Sequence, residues 1–422
     1  MTSLVKNRDR QILVLADDLT GAMDTGVQFA KRGLRTSVIV GSECDFSGYP
    51  NTDVFVIDTE TRHLCSEEAY KNLYKVTKKA CSFGITHFLK KTDSGLRGNI
   101  SSEISAVMDA SGIKVAAFIP AFPQMNRVVI GGISYIDGVP INKSVFGTDP
   151  FNPVRIERVA DLFTNQKHAV REYSDPAGIL TQLTEEQIAV FDSATRSDIR
   201  AIVDVLEQNG CNKLYAGCAG LADVLAEEMG SGEAPDITPE RADSFLAVCG
   251  SINPISQRQI QYAAQQGYKR LNIPGEEIND TAFSESNAFN GYINEINSAL
   301  AEHKVCLVDT GNNSENPNDH SGISNDSDPD VIAGNLGKIL RLTLAGSMHP
   351  VIMIIGGDTL YHITDELSCL GLQLISEPER GVACIRMKTG TDEYTALTKS
   401  GGFGDEQMIV RLIGSFLGST HR

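Results

Sequence analysis

The sequence lacks the features that mark several common classes of protein: cysteine motifs, an excess of positive charge and long apolar runs. Its nine cysteines stand singly, without C-x-x-C spacing or Cys/His clusters, so neither a zinc site nor a disulfide framework is indicated. Its 37 Lys and Arg residues against 54 Asp and Glu residues give a net charge of -17, whereas nucleic acids and anionic membranes bind basic surfaces. No apolar run approaches the roughly 20 residues that span a bilayer, and the N-terminus has no apolar signal core. We therefore expect a cytoplasmic protein that binds neither nucleic acid nor membranes.

Several catalytic and cofactor signatures are also missing. The sequence contains no G-x-S-x-G motif and no Ser/His pairing, which disfavours a nucleophilic hydrolase. It contains neither G-x-x-x-x-G-K-[ST] nor G-x-G-x-x-G, so a P-loop and a dinucleotide fingerprint are not supported.

The length of 422 residues exceeds one typical core and predicts two domains. Residues 229–243 are rich in Gly, Pro and acidic side chains, without periodicity, and are typical of a linker. We predict domains at 1–230 and 244–422. The polar stretch 311–329 is interpreted as a surface loop.

Both predicted domains repeat an apolar run, a polar motif and a segment with helical spacing. Runs such as "ILVLA" and "VIMII" are aliphatic throughout, which is typical of strands buried on both faces of a parallel sheet. The sequence therefore predicts an α/β fold with two domains, each a mostly parallel sheet flanked by helices. Ligands of such sheets bind beyond the carboxyl ends of the strands, where the unusual polar motifs fall.

The first domain carries its charged motifs at these strand ends. Asp17 and Asp18 directly follow the first strand, and either functional carboxylates or simple helix capping would account for them. Lys91, Asp93 and Arg97 lie within "KTDSGLRGN", where Arg can bind a carboxylate or phosphate and Asp can accept a proton. The alternative is a surface ion cluster of little energetic value.

The second domain has two glycine turns, each after a predicted strand. Gly356 and Gly357 precede Asp358 and Thr359 in "IIGGDT", and Gly402 lies in "KSGGFG". Glycine permits close backbone approach, and free N–H groups at a helix N-terminus attract phosphate oxygens. Ser251 ends the domain's opening strand, so these groups outline a nucleotide pocket. A plain N-cap at Asp358 or Thr359 is the alternative.

Taken together, the motifs resemble the four-carbon acid sugar kinase family, most closely its D-threonate-phosphorylating branch. The matching stretches run across almost the whole chain in one order: "ADDLTGA" (16–22), "KTDSGLRGN" (91–99), "PAFPQMNR" (120–127), "YIDGVPI" (135–141), "DPFNPV" (149–154), "GGDT" (356–359) and "KSGGFG" (399–404). The resemblance implies an N-terminal sugar-acid-binding domain, a C-terminal ATP-binding domain and an active site in the cleft between them. It also implies phosphate transfer from ATP, with Mg²⁺, to the 4-hydroxyl of a four-carbon acid.

The resemblance also implies a set of site residues. On the substrate side we expect catalytic Asp17, Asp18 and Asp93, with Arg62, Lys91 and Arg97 binding the sugar acid. ATP is expected to contact Ser251, Gly356, Gly357, Asp358, Thr359 and Gly402. The motifs do not identify metal ligands.

The sequence leaves some alternative functions open and argues against others. A kinase for D-erythronate or 3-oxo-tetronate remains open, because these acids differ from D-threonate at only one or two carbons. A non-catalytic sugar-acid sensor also remains open, whereas the missing dinucleotide fingerprint and metal–histidine cluster argue against a dehydrogenase or an aldolase. The sequence leaves open whether the protein is a homodimer.

Overall fold

The computed structural model describes residues 11–41, 45–49, 51–147, 153–164, 167–175, 183, 185–230, 242–311, 328–346, 349–369, 371–390 and 392–418. The chain divides into two units, Met1–Pro235 and Asp236–Arg422. Most of the predicted linker and of the predicted 311–329 loop lies outside the described residues, and so does most of the "DPFNPV" motif. The two domain boundaries drawn from the sequence stay predictions.

The first unit is built on a parallel sheet with helices between its strands. Its strands are β1 (Ile12–Ala16), β2 (Thr36–Val40), β3 (Val54–Asp58), β4 (His87–Lys91), β5 (Val115–Ile119), β6 (Arg127–Ile130), β7 (Ile133–Ile136), β8 (Val139–Pro140), β9 (Ala169–Tyr173), β10 (Gln187–Phe191) and β11 (Leu214–Gly217). Its helices are α1 (Leu19–Ala30), α2 (Ser66–Phe83), α3 (Ile100–Ser111), α4 (Arg196–Gln208) and α5 (Ala219–Met229). Eight strands run parallel in the order β2-β3-β1-β4-β11-β5-β10-β9, and β6, β7 and β8 form a separate antiparallel sheet.

The register of β1 determines which polar residues meet. Ala16 at its end is aligned with Asp58 of β3 and with Lys91 of β4. The segments that follow these three strands carry Asp17, Arg62 and Asp93, so they leave the sheet side by side at its carboxyl edge.

The second unit repeats this plan. Its strands are β12 (Phe245–Cys249), β13 (Lys269–Asn272), β14 (Val305–Asp309), β15 (Val351–Ile355), β16 (Gly371–Glu379), β17 (Val382–Lys388) and β18 (Glu393–Lys399). Its helices are α6 (Pro254–Gln265), α7 (Gly275–Ile278), α8 (Asn287–His303), α9 (Pro329–Leu344), α10 (Gly357–Glu366) and α11 (Met408–Leu417). The order is β13-β14-β12-β15-β18-β17-β16, of which the first five run parallel. Ile355 of β15 is aligned with Cys249 and with Lys399, which brings the three predicted nucleotide motifs together.

The predicted fold class is confirmed. Every residue of β1, β3, β5, β12 and β15 is buried, as their largely apolar sequences predicted. Among the described residues, no helix is long and apolar enough to cross a membrane.

Candidate active site

Arg62 lies at the centre of the charged cluster in the first unit. Its Nε donates to Asp17 Oδ2 at 2.8 Å and its Nη1 donates to Asp18 Oδ2. Its Nη2 lies 4.0 Å from Asp93 Oδ1. Only 12% of its side chain is exposed. Arg62 is therefore a largely buried arginine surrounded by three carboxylates, and not a solvated one. Burial acts to lower the pKa of Arg62, but the neighbouring carboxylates outweigh it and raise that pKa.

The two adjacent aspartates have different surroundings. Asp18 caps α1 by accepting a hydrogen bond from the Gly21 backbone N–H at 2.8 Å, so it both caps the helix and pairs with Arg62. Asp17 is buried, and its Oδ1 has no hydrogen-bond partner. Burial would raise the pKa of Asp17, but Arg62, Lys90 and Lys91 hold it below its ordinary value. The carboxylates of both aspartates therefore accept hydrogen bonds from the same guanidinium group, that of Arg62.

Asp93 and Arg97 form a two-point ion pair within one turn. Arg97 Nε donates to Asp93 Oδ2 at 2.7 Å, and Arg97 Nη2 donates to Asp93 Oδ1 at 3.2 Å. Burial would raise the pKa of Asp93, yet Arg97 and Arg62 hold it well below the usual range of a carboxyl. Asp93 is therefore ionised at any physiological pH, and 11% of its side chain remains exposed.

The turn itself depends on glycine at two positions. Gly98 adopts a φ of +87°, and a Cβ there would lie 3.4 Å from Asp17 Oδ2. A Cβ at Gly95 would lie 2.4 Å from the ring of Phe146. Glycine at these positions therefore lets the turn approach both the carboxylate and the ring.

The two lysines at the end of β4 serve different purposes. Lys90 is fully buried, and its Nζ lies 3.1 Å from Glu103 Oε2 on α3. The burial of Glu103 raises its pKa despite this partner. The side chain of Lys91 lies against the first turn of α1, because a Cβ on Gly21 would be 2.7 Å from its Nζ. Lys91 thus brings a cation to the Asp17–Asp18 pair, whereas Lys90 belongs to the core.

In the second unit, the chain after β15 begins a helix without a side-chain cap. Gly356 is the N-cap of α10 with a φ of +121°, and no side chain bonds to the first turn. Asp358, which is exposed, and Thr359, which is buried, lie inside the helix. Neither is therefore the plain N-cap that the sequence left open. A Cβ at Gly250 would lie 2.2 Å from Thr359 Oγ1. The first N–H groups of α10 are therefore available to an anion.

The turn after β18 packs against the end of β12. A Cβ at Gly401 would lie 2.2 Å from Ser251 Oγ. One at Gly402 would lie 3.5 Å from Asn253 Nδ2, and Asn253 itself caps α6. The structure thus brings Ser251 and the "KSGGFG" turn together, with Gly356 directly after the neighbouring strand β15.

Lys399 is a polar residue of this region that the sequence reasoning did not single out. It is buried, and its Nζ donates to Ser256 Oγ at 3.1 Å and to the Gly401 carbonyl at 3.3 Å. Burial lowers the pKa of Lys399 to about 8. In the described part of the chain it makes no ion pair with a carboxylate. The available signal was that this lysine ends β18 and begins the quoted motif "KSGGFG".

Among the described residues, no group of three or more His, Cys, Asp or Glu side chains is placed to hold a metal ion. Magnesium commonly binds through phosphates and water, with only one or two carboxylates.

Comparison with known proteins identifies both units. Residues 12–225 match the family of sugar-binding N-terminal domains, and residues 246–409 match the family of nucleotide-binding C-terminal domains. A D-threonate kinase of Salmonella typhimurium is 26% identical over 417 residues, covering 94% of this chain and 96% of the relative. A D-erythronate kinase of Heliobacterium modesticaldum is 26% identical, covering 93% of each chain. A 3-oxo-tetronate kinase of Methylobacterium radiotolerans is 25% identical, covering 94% of this chain and 97% of the relative.

The fold has close solved counterparts. A structure from Salmonella typhimurium LT2, described as a tRNA synthase, superposes with a TM-score of 0.81 at 20% identity, covering 96% of this chain and 99% of that one. A Haemophilus influenzae protein superposes with a TM-score of 0.75 at 20% identity, covering 96% and 100%. At this identity the likeness concerns the fold alone.

The two matched regions define a protein with a sugar-binding domain followed by a nucleotide-binding domain. The chain belongs to the four-carbon acid sugar kinase family, a family of phosphotransferases. The family predicted from its motifs is therefore confirmed.

Proposed function

We propose that this protein transfers phosphate from ATP to the 4-hydroxyl of a four-carbon sugar acid, with D-threonate as its substrate. The observation that carries the proposal is the enclosed cluster in which Arg62 contacts Asp17 and Asp18 and approaches Asp93. Phosphoryl transfer needs mainly positioned charges and a group that orients the attacking hydroxyl. The names of the relatives support a four-carbon acid, and that of the Salmonella typhimurium relative supports D-threonate in particular.

In the first unit, exposure separates the proposed roles. Asp93 and Asp18 keep 11% and 26% of their side chains exposed, so substrate hydroxyls can reach them. Asp93, ionised and fixed by Arg97, would orient the attacking hydroxyl. Asp17, with 2% of its side chain exposed, would act by holding Arg62 in place. Lys91 and Arg62 would bind oxygens of the sugar acid.

In the second unit, the uncapped start of α10 would hold the ATP phosphates. Gly356, Gly357 and Gly402 would admit them to the backbone, and Ser251 would add a hydroxyl donor. Asp358 and Thr359 border the same turn. Because Mg²⁺ commonly binds through substrate phosphates and water, we propose that it enters as its ATP complex.

The experiment is a substrate panel at fixed ATP and Mg²⁺. Purified protein is mixed with D-threonate, L-threonate, D-erythronate or 3-oxo-tetronate, and ADP release is followed by a coupled assay. The proposal requires kcat/KM for D-threonate to exceed the others by about tenfold or more, which corresponds to ~1.4 kcal/mol of transition-state preference. A higher kcat/KM for D-erythronate would support the kinase activity but identify D-erythronate as the substrate. Binding of an acid without ADP release would instead favour a sensor.

A further inference from the structure

Arg127 is a charged residue of the first unit to which neither the sequence reasoning nor the proposed function gives a role. It begins β6, where its backbone is paired with Phe122: the Phe122 N–H donates to the Arg127 carbonyl at 2.7 Å, and the Arg127 N–H donates back at 3.2 Å. Its side chain reaches the "KTDSGLRGN" turn, where Nη1 donates to Ser94 Oγ. Arg127 is therefore fixed at its backbone and at its guanidinium group.

Arg127 and Arg97 share one aromatic neighbour. The guanidinium carbons of both lie 5.1 Å from the centroid of the Phe146 ring, the ring that packs over Gly95. Arg127, Lys91 and Asp93 all lie close enough to the buried Cys218 thiol to affect its pKa. Arg127 thus belongs to the same cluster as the proposed substrate-binding residues.

The two arginines differ in their charge partners. Arg97 is neutralised by the two-point ion pair with Asp93. Arg127 makes no ion pair with any carboxylate in the part of the chain that the structure describes, and its Nε is buried without a hydrogen-bond partner. A guanidinium group in this state lacks the anion that it binds best, a planar carboxylate or phosphate.

We propose that Arg127 binds the carboxylate of the sugar acid and thereby selects acids over neutral sugars. Arg97, which the sequence suggested for this role, instead holds Asp93. This inference rests on the proposed function, since it concerns the substrate of that same site. A carboxylate seated on Arg127 would lie beside Ser94, whose hydroxyl already accepts a hydrogen bond from the guanidinium group.

The test compares D-threonate with its neutral amide, which keeps the shape and loses the charge. Calorimetry without nucleotide gives Kd for each compound in the wild-type protein, in Arg127→Leu and in Arg127→Lys. We expect the wild type to bind the acid at least about tenfold more tightly than the amide. Arg127→Leu should weaken acid binding about 100-fold and change amide binding little, with Arg127→Lys intermediate. Arg171→Leu, which removes an exposed arginine paired with Glu185, should match the wild type.

Two results would overturn the inference. In one, Arg127→Leu weakens acid and amide equally while Arg127→Lys restores both, which marks a structural role. In the other, the wild type itself does not prefer the acid. Far-UV circular dichroism and thermal unfolding of the same variants report whether each is folded. If the leucine variant is not folded, Arg127→Lys is used in its place. Because the readout is binding, a protein that prefers the acid but shows no turnover would refute the kinase and leave the role of Arg127 standing.

Discussion

Arg97 holds Asp93 on both carboxylate oxygens, with Nε 2.7 Å from Oδ2 and Nη2 3.2 Å from Oδ1. This pair keeps the pKa of Asp93 far below its ordinary value although the side chain is nearly buried. The carboxylate is thus preserved as an anion at the edge where the substrate is proposed to bind. A hydroxyl that approaches Asp93 meets an oriented acceptor and not a titrating base.

The first prediction concerns Asp93→Asn. The substitution keeps the size and removes the charge that orients the attacking hydroxyl, a contact whose benefit appears mainly in the transition state. We expect kcat to fall about 100-fold or more, with KM for the sugar acid little changed. Steady-state kinetics at saturating ATP measure both. Asp53→Asn is the control, because Asp53 forms a similar two-point pair with the exposed Arg35 outside the cluster. Near-wild-type kinetics in Asp93→Asn, combined with an inactive Asp18→Asn, would show that Asp18 and not Asp93 orients the attacking hydroxyl.

A second prediction follows from the uncapped start of α10. Gly357 is the first residue of this helix, so a valine there would put a branched side chain where the phosphates are proposed to approach. Gly357→Val should abolish ATP binding and leave sugar-acid binding largely intact. Gly291→Val is the matched control in the same unit, because a Cβ at Gly291 would meet nothing within 4 Å. Calorimetry with ATP showing equal affinity in both variants would count against a nucleotide site at this turn.

Lys399 gives a pH-dependent prediction. Burial lowers the pKa of Lys399 to about 8, so the unliganded protein loses this cation as the pH rises through that value. ATP phosphates favour the protonated amine. We therefore expect KM for ATP to be constant below pH 7 and to rise between pH 8 and 9.5, by about tenfold per pH unit at most. Lys399→Met should raise KM at low pH and remove the dependence. Lys269→Met, which removes a lysine paired with Glu295, should keep the wild-type profile. A rise of equal size in Lys399→Met would exclude Lys399 as its source.

The buried Lys90–Glu103 pair yields a stability prediction. Lys90→Met leaves Glu103 without its cation in the core, and breaking such a pair costs about 3–5 kcal/mol. Since burial already raises the pKa of Glu103, the variant can protonate it at low pH, and the loss should be smaller at pH 5 than at pH 8. Lys90→Met/Glu103→Gln removes both charges and should recover part of the loss. Urea unfolding at the two pH values measures these differences, and equal losses for the single and double variants would contradict a coupled ion pair.

Most strands of the two sheets could be predicted closely from the sequence because their burial on both faces leaves continuous apolar runs. The run "VIMII", for example, became β15 with the same bounds. Strands β13 and β16 were not predicted, because their sequences are partly polar and they are partly exposed. The small sheet of β6, β7 and β8 was not predicted, because its strands are short and partly exposed and carry no such run. The edge strand β9, mostly exposed, was missed for the same reason.

The grouping of Asp17, Arg62 and Asp93 could also be predicted, since parallel strands end at one edge of a sheet. Their pairing could not, because it depends on side-chain reach. Sequence spacing gave no sign that Arg97 would be neutralised by Asp93 while Arg127, thirty residues further on, would carry no carboxylate partner in the described residues. Nor could it separate Lys90 from Lys91, which are adjacent in the strand and point to opposite faces of the sheet.

The most direct test of the proposed activity is ³¹P NMR of one reaction mixture containing the protein, ATP, Mg²⁺ and D-threonate. The proposed activity requires that the γ-phosphate signal of ATP disappears while ADP and one phosphomonoester signal appear in equal amounts. The phosphorus of this phosphomonoester should be coupled to the two protons on C4 of the sugar acid. Intact ATP after prolonged incubation with a bound sugar acid, or release of inorganic phosphate alone, would contradict it.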